Sequence, residues 1–205
     1  YNYKGLVVFK STVTPGITNM LFKKYKLDIC YYPEFLTART AYEDFVTQPH
    51  IILGFLENYK LNEKLNLKYQ KLLTFFKINF PKSKISMTTT LEAEMAKLFC
   101  NNFYSMKIGI CNEFYDVCKY NKVNYDNVIE LMIKNDWINP MHTKVPGPDG
   151  KFGFGGLCFI KDTNSLSDYM DNYEIENSIL KHTIIENQKR RDLSNENCNV
   201  VLNTL

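Results

Sequence analysis

Leu6-Val7-Val8-Phe9-Lys10-Ser11-Thr12-Val13-Thr14-Pro15-Gly16 reads as four apolar residues running into a Ser/Thr/Pro/Gly turn. This is the pattern of a buried strand entering a tight connection. After it, Ile17, Met20, Leu21 and Tyr25 recur at helical spacing. Asp28-Ile29-Cys30-Tyr31-Tyr32 is the next strand, and beyond Pro33 a connecting segment leads to a short helix ending near Val46. Ile51-Ile52-Leu53-Gly54-Phe55 is a third strand, Asn62 to Phe76 a helix, and Lys84-Ile85-Ser86-Met87 a last strand. Strands alternating with helices predict an α/β unit over residues 1–87, with a parallel sheet covered on its faces.

From Thr88 the character changes. Thr89 and Glu92 have capping-box spacing. The helix they open reaches about Tyr120 with no proline and one glycine, a length of roughly 45 Å. One apolar stripe on it is Met95, Phe99, Phe103, Met106, Ile110, Phe114 and Val117. A second is Ala96, Cys100, Tyr104, Ile108, Cys111, Tyr115 and Cys118. So apolar a helix belongs in a core, or in a core and against a second subunit as well. Asn124 caps a helix to about Lys134, a Pro/Gly-rich loop spans 140–156, and a final helix runs from about Glu174 to Arg191. Its closing Lys189-Arg190-Arg191 suits a helix C-terminus and needs no ligand. Residues 88–205 therefore read as all-α, with one long central helix.

Composition narrows the functional classes. A formal charge of +3 spread along 205 residues argues against nucleic-acid or membrane-surface binding. No apolar run reaches the roughly 20 residues of a membrane helix, and Tyr1-Asn2-Tyr3-Lys4 resembles neither a signal peptide nor a natural start. The six cysteines (Cys30, Cys100, Cys111, Cys118, Cys158, Cys198) lack metal-ligand spacing, and several fall in apolar helical patterns. That predicts reduced thiols in the cytosol and no metal. His50, His142 and His182 have no partner spacing and read as structural.

The chemistry concentrates in Phe152-Gly153-Phe154-Gly155-Gly156-Leu157-Cys158-Phe159-Ile160-Lys161-Asp162-Thr163. Three glycines in four residues allow a ligand or another strand to come close. If they launch a helix, Cys158, Lys161 and Asp162 share one face of its first turns. A thiol there meets the positive end of a helix and an ammonium group, which favours the nucleophilic form. The alternative is a glycine turn, a buried thiol and an exposed Lys-Asp pair.

That stretch resembles the active-site signature of the UDP-glucose/GDP-mannose dehydrogenase family, Gly-Phe-Gly-Gly-x-Cys-Phe-x-Lys-Asp. Three more stretches resemble the family in the same order. Ser11-Thr12-Val13-Thr14-Pro15-Gly16 is similar to Ser-Thr-Val-x-Pro-Gly, Tyr32-Pro33-Glu34-Phe35-Leu36-Thr37-Ala38-Arg39-Thr40-Ala41 to Asn-Pro-Glu-Phe-Leu-x-Glu-Gly-Thr-Ala, and Glu94 to Phe103 to a helix carrying a lysine and an asparagine. His142 to Gly150 resembles the loop over the sugar. The pattern is departed from at Tyr32, Ala38 and Arg39, and at Trp137, where an arginine reaching a neighbouring subunit's substrate is expected.

The resemblance implies an NAD-dependent oxidation of a nucleotide sugar by a cytoplasmic homodimer paired through the long helix. It implies Cys158 as nucleophile, Asp162 and Thr12 holding a catalytic water, and Lys97 and Asn101 stabilising a sugar oxyanion. Glu34 would be the base for thioester hydrolysis, and Thr12 and Lys161 would lie at the cofactor. Glu34, Phe35, Leu36, Lys97, Asn101, Phe154 and Gly155 would contact the substrate. No Gly-x-Gly-x-x-Gly turn is present, so residues 1–87 resemble the distal half of a Rossmann-like NAD-binding domain, and 88–205 the central dimerisation domain. The alternative function is a non-catalytic dimerisation module of the same family.

Overall fold

The structure is a computed structural model that describes residues 3–202, with side chains described as far as residue 192. Tyr1, Asn2 and the Cys198 side chain lie outside the described residues. The chain forms two compact units, Tyr1–Phe99 and Cys100–Leu205.

In the first unit, β1 (Leu6–Phe9), β2 (Asp28–Tyr31), β3 (His50–Phe55) and β4 (Lys84–Thr89) lie in that order in one sheet. Helices α1 (Ile17–Tyr25), α2 (Ala41–Val46) and α3 (Glu63–Asn79) alternate with them. The core is built from Ile29, Cys30, Ile51, Leu53 and Phe55 of the strands against Leu65, Tyr69, Leu73 and Phe76 of α3. Those α3 positions recur at one helical face, which is why this segment buries a single side. Tyr69 stacks on Phe55 with ring centroids 4.2 Å apart, and its hydroxyl donates to the carbonyl of Ile29 at 2.6 Å. The phenol therefore enters the core with its polar end satisfied.

The sheet is α/β as expected, with one departure. β1 pairs parallel with β2 and β3 with β4, but β2 and β3 are antiparallel. The β2–β3 connection carries only the six-residue α2, whereas α3 between β3 and β4 has 17 residues. Connection length does not set the direction, because the parallel β1–β2 pair is joined by as long a segment (10–27) as the antiparallel β2–β3 pair (32–49). Nor is the sheet covered throughout: Met87 on β4 is exposed.

Helix α4 (Thr90–Tyr120) begins in the first unit and continues into the second. The capping box forms as expected: the Thr89 N–H donates to Glu92 Oε2 at 2.9 Å, and the Glu92 N–H donates to Thr89 Oγ1 at 3.2 Å. The sides of α4 do not follow the usual rule. From Ala93 to Ile110 the buried residues are Ala93, Glu94, Lys97, Leu98, Asn101, Asn102 and Ser105, while the exposed ones are Ala96, Phe99, Phe103 and Ile110. Its interior face is mostly polar and its outer face apolar.

The second unit adds α5 (Tyr125–Ile133), α6 (Gly156–Asn172) and α7 (Ser178–Leu202). Its apolar core joins Cys111 and Cys118 of α4 to Tyr125 and Ile129 of α5 and to Val145 in the following loop. Asn124 caps α5 by accepting from the Asn127 N–H at 3.1 Å. The final helix differs from expectation at both ends. Glu174 takes a left-handed φ of 56°, which delays the start to Ser178. Neither glycine nor proline follows it, so nothing stops the helix at Arg191.

Glu94 explains how α1 is seated. It is fully buried, and its two oxygens accept from the Gly16 N–H at 2.6 Å and the Thr18 N–H at 2.7 Å. Those are orphan donors at the start of α1, where the helix dipole also favours a negative charge. Replacing Glu94 by Ala strands both donors and leaves a void. The expected loss is about 3 kcal/mol in a urea denaturation series. A change below about 0.5 kcal/mol would mean that α1 is seated by other contacts.

Candidate active site

The sequence-predicted residues form two groupings, one in each unit. In the first unit, the extended segment after β2 carries Glu34, Phe35 and Leu36. Glu34 Oε2 accepts from the Leu36 N–H at 2.8 Å, which fixes the carboxylate on its own loop. Its Oε1 lies 3.6 Å from Lys97 Nζ, and the same ammonium sits 5.0 Å from the centroid of the Phe35 ring. Lys97 is buried and Glu34 is part-exposed. A buried ammonium is costly unless a carboxylate and an aromatic face answer it, and both are present. Thr12 is half-buried in the turn between β1 and α1. Glu94, one helical turn before Lys97, holds the other end of that turn at Gly16. Sequence reading gave Glu94 no role; the signal was a carboxylate beside Ala93 on a face that also carries Leu98.

In the second unit, Asp162 is the centre. It is almost fully buried, with one carboxylate oxygen paired to Lys161 and the other accepting from Asn101 Nδ2 at 2.6 Å. Asn102 Nδ2 donates to the backbone carbonyl of Asp162 at 3.1 Å. Two adjacent asparagines of α4 thus grip one residue of α6, one at the side chain and one at the main chain. Lys161 itself is largely exposed, so its charge partly neutralises the carboxylate from the solvent side. Cys158 lies four residues before Asp162, in the first turn of α6, and is exposed. Gly155 caps that helix without a side-chain acceptor.

Two of the glycines before Cys158 make room for α7. A Cβ on Gly153 would lie 2.5 Å from Asn187 Oδ1, and one on Gly155 would lie 2.5 Å from Arg191 Nη2. What comes close at these two positions is α7. Phe154 is buried in the same loop. The basic run at the end of α7 is likewise engaged. Arg190 pairs with Asp116 at 2.8 Å and Glu186 at 3.0 Å, and Arg191 with Asp149 at 2.6 Å.

The other departures sit at the surface or in packing. Ala38, Arg39 and Trp137 are exposed. Tyr32 is buried, with its ring 4.8 Å from Phe76 and its hydroxyl donating to Gln48 at 2.8 Å; Lys10 Nζ lies 4.0 Å over that ring. His142 lies between the rings of Tyr104 and Phe159. Burial, and secondarily the Lys107 charge, hold its imidazole below the ordinary pKa, so it stays neutral at neutral pH. His50 bonds Ser86, and His182 the carbonyl of Ser178.

Chemically, this is an exposed thiol at the start of a helix, followed by a buried and fully bonded carboxylate, in one unit. The other unit holds a buried ammonium with a second carboxylate. Burial pushes the Cys30 thiol well up and raises that of Cys111 against the opposing Tyr125 hydrogen bond and Lys107 charge. Iodoacetamide is therefore expected to label Cys158 ahead of Cys30, Cys111 and Cys118. Peptide mapping of a time course checks this, and equal rates at all four would contradict the assignment of an accessible thiol.

Comparison with known proteins gives one consistent result. Residues 91–189 match the central domain of the UDP-glucose/GDP-mannose dehydrogenase family. The chain is 31% identical over 200 residues to a UDP-glucose 6-dehydrogenase of Rickettsia prowazekii, covering 92% of this chain and 42% of that protein. It is 28% identical over 193 residues to one from Campylobacter jejuni, covering 93% and 45%. Among solved structures, a UDP-glucose dehydrogenase from Pyrobaculum islandicum superposes with a TM-score of 0.76 at 27% identity, over 90% of this chain and 41% of that one. The chain thus spans about two fifths of the length of these relatives.

Proposed function

We propose that this chain, a member of the UDP-glucose/GDP-mannose dehydrogenase family, serves the NAD-dependent oxidation of a nucleotide sugar's primary alcohol to the carboxylate. The observation that carries the reading is the engagement of Asp162 by Lys161 and Asn101 one turn after an exposed cysteine. A solvated Lys-Asp pair, the alternative reading of that stretch, would leave Asp162 exposed. The names of the relatives and of the matching family support a UDP- or GDP-hexose as the substrate class.

When bound, NAD accepts one hydride in each of the two oxidations. The first unit would meet only its reactive end, since the Gly-rich turn that cradles a pyrophosphate does not occur in it. Thr12 offers a hydroxyl in the turn after β1, beside the α1 N-terminus that Glu94 holds. Lys161 is exposed and available at the second unit's helix start.

The chain's own residues are assigned one step each. Thr12 and Asp162 orient the water that takes the alcohol proton. Lys97 and Asn101 stabilise the alkoxide as hydride leaves and the aldehyde forms. The Cys158 sulfur adds to the aldehyde carbon, giving a thiohemiacetal whose loss of a second hydride leaves a thioester. Glu34 activates the water that displaces the sulfur, so the thiol is regenerated and the water oxygen ends in the carboxylate. We assign residues 1–87 to the distal half of the cofactor domain and 88–205 to the central domain, working as a cytoplasmic homodimer.

A dimerisation module is the second reading, and the outer row of α4 favours it. Phe103, Ile110, Phe114 and Val117 are exposed. Between α4 and α7 lies an open apolar groove of about 850 Å³ lined by Phe103, Met106, Ile110, Ile179 and Ile185. Such a patch marks an interaction surface. Phe103→Glu combined with Ile110→Glu is expected to convert a dimer to a monomer in light scattering, and an unchanged mass would remove this face from the pairing.

Stopped-flow NADH formation with UDP-glucose separates the two readings. These 205 residues alone are expected to bind NAD weakly or not at all. In a chain that also carries a Gly-x-Gly-x-x-Gly strand-turn-helix, the wild type should show two oxidations per sugar, and Cys158→Ser should stall after the first. Absence of NADH from both proteins would leave the module alone.

A further inference from the structure

We infer that Asn187 and Arg191 of α7, together with Asn112 of α4, are positioning residues for Cys158, acting through the backbone of the glycine loop. Four consecutive backbone polar groups of that loop are answered by side chains. The Gly153 N–H donates to Asn112 Oδ1 at 3.0 Å and the Phe154 N–H to Asn187 Oδ1 at 2.7 Å. The Gly153 carbonyl accepts from Arg191 Nη2 at 2.9 Å, and the Phe154 carbonyl accepts from Arg191 Nε at 2.9 Å. The third arm of the same guanidinium, Nη1, donates to Asp149 at 2.6 Å, across the turn that leads into the loop.

Buried backbone groups outside a helix or sheet must find partners, and here α7 supplies most of them. The planar guanidinium fork holds two successive carbonyls and Asp149 at once in a fixed geometry, which a point-like ammonium does not reproduce. The fit is mutual. Any side chain at Gly153 or Gly155 would collide with Asn187 or Arg191. Gly155 is the N-cap of α6 and Cys158 its third residue, so a rotation of the loop swings the sulfur directly. Asn187 and Arg191 are four apart on α7 and share one face. Arg190, beside them, ties α7 to Asp116 of α4. The glycine loop is thus held between two helices, with the thiol at its end.

This role rests on the reading of Cys158 as the nucleophile, and its consequence is selective. The first oxidation makes no use of sulfur, whereas the second requires the thiol in place. Asn187→Ala and Arg191→Lys are therefore expected to leave the first stopped-flow phase near wild type. They should slow the second about tenfold or more, the scale of a misplacement under 1 Å. Asn187→Asp, which keeps the accepting oxygen, should retain the second phase. A merely structural role would lower both phases together and depress the unfolding midpoint in parallel; that result, or two unchanged phases, overturns the inference.

Should the wild type form no NADH, the oxidation scheme fails and the positioning claim is read from chemistry instead. The alkylation rate of Cys158, and of no other mapped thiol, should then differ from wild type in Asn187→Ala and Arg191→Lys by about threefold or more. Hydrogen exchange at Gly153 and Phe154 should rise in step. Unchanged alkylation and exchange would sink the claim.

Discussion

A charge taken out of water has to be answered by the protein, and the interior face of α4 carries two such obligations. Glu94 holds the start of α1 with both carboxylate oxygens, and Lys97, one turn later, is met by Glu34 and the Phe35 ring. Further along, Asn101 and Asn102 take hold of Asp162. Leaving a buried carboxylate or ammonium unanswered costs several kcal/mol, more than most single contacts in a domain contribute. The turn after β1, the loop after β2 and the start of α6 are therefore located by what α4 demands. The residues with chemical potential are those the fold must bond in any case.

Much of this was legible in the sequence, for identifiable reasons. Leu6–Phe9 and Ile51–Phe55 are short apolar runs with breakers at their ends, and Thr89 with Glu92 is a local signal that needs no tertiary context. The antiparallel direction of β3 was not legible, since the connections before and after β2 are equally long and only the first gives a parallel pair. The sidedness of α4 was harder. Apolar periodicity finds a stripe but does not say which way it faces, and here Phe103 and Ile110 face outward while Glu94 and Asn101 face in. The end of the last helix was misjudged because Lys189-Arg190-Arg191 looks like a C-terminal charge cluster, while two of the three are spent on Asp116, Glu186 and Asp149.

The candidate site shows the same division. Cys158, Lys161 and Asp162 were found by spacing, because helix geometry alone puts them near one another. Glu94, Asn112, Asn187 and Arg191 were not, because each acts at a backbone group tens of residues away, and a hydrogen bond to main chain leaves no mark in the recipient's identity. Only the glycines hinted at it, since Gly153 and Gly155 make room for an amide and a guanidinium. The likeness to UDP-glucose dehydrogenases runs over about two fifths of those proteins' length.

The inverted sidedness of α4 has an evolutionary corollary. On an ordinary surface helix the solvent side is where mutations accumulate without penalty. Between Ala93 and Ile110 that freedom is missing, because the inward residues are committed to specific bonds and the outward ones, Phe99, Phe103 and Ile110, form a contiguous greasy strip. With no side on which codons can drift, this helix should diverge more slowly than the strands of the sheet.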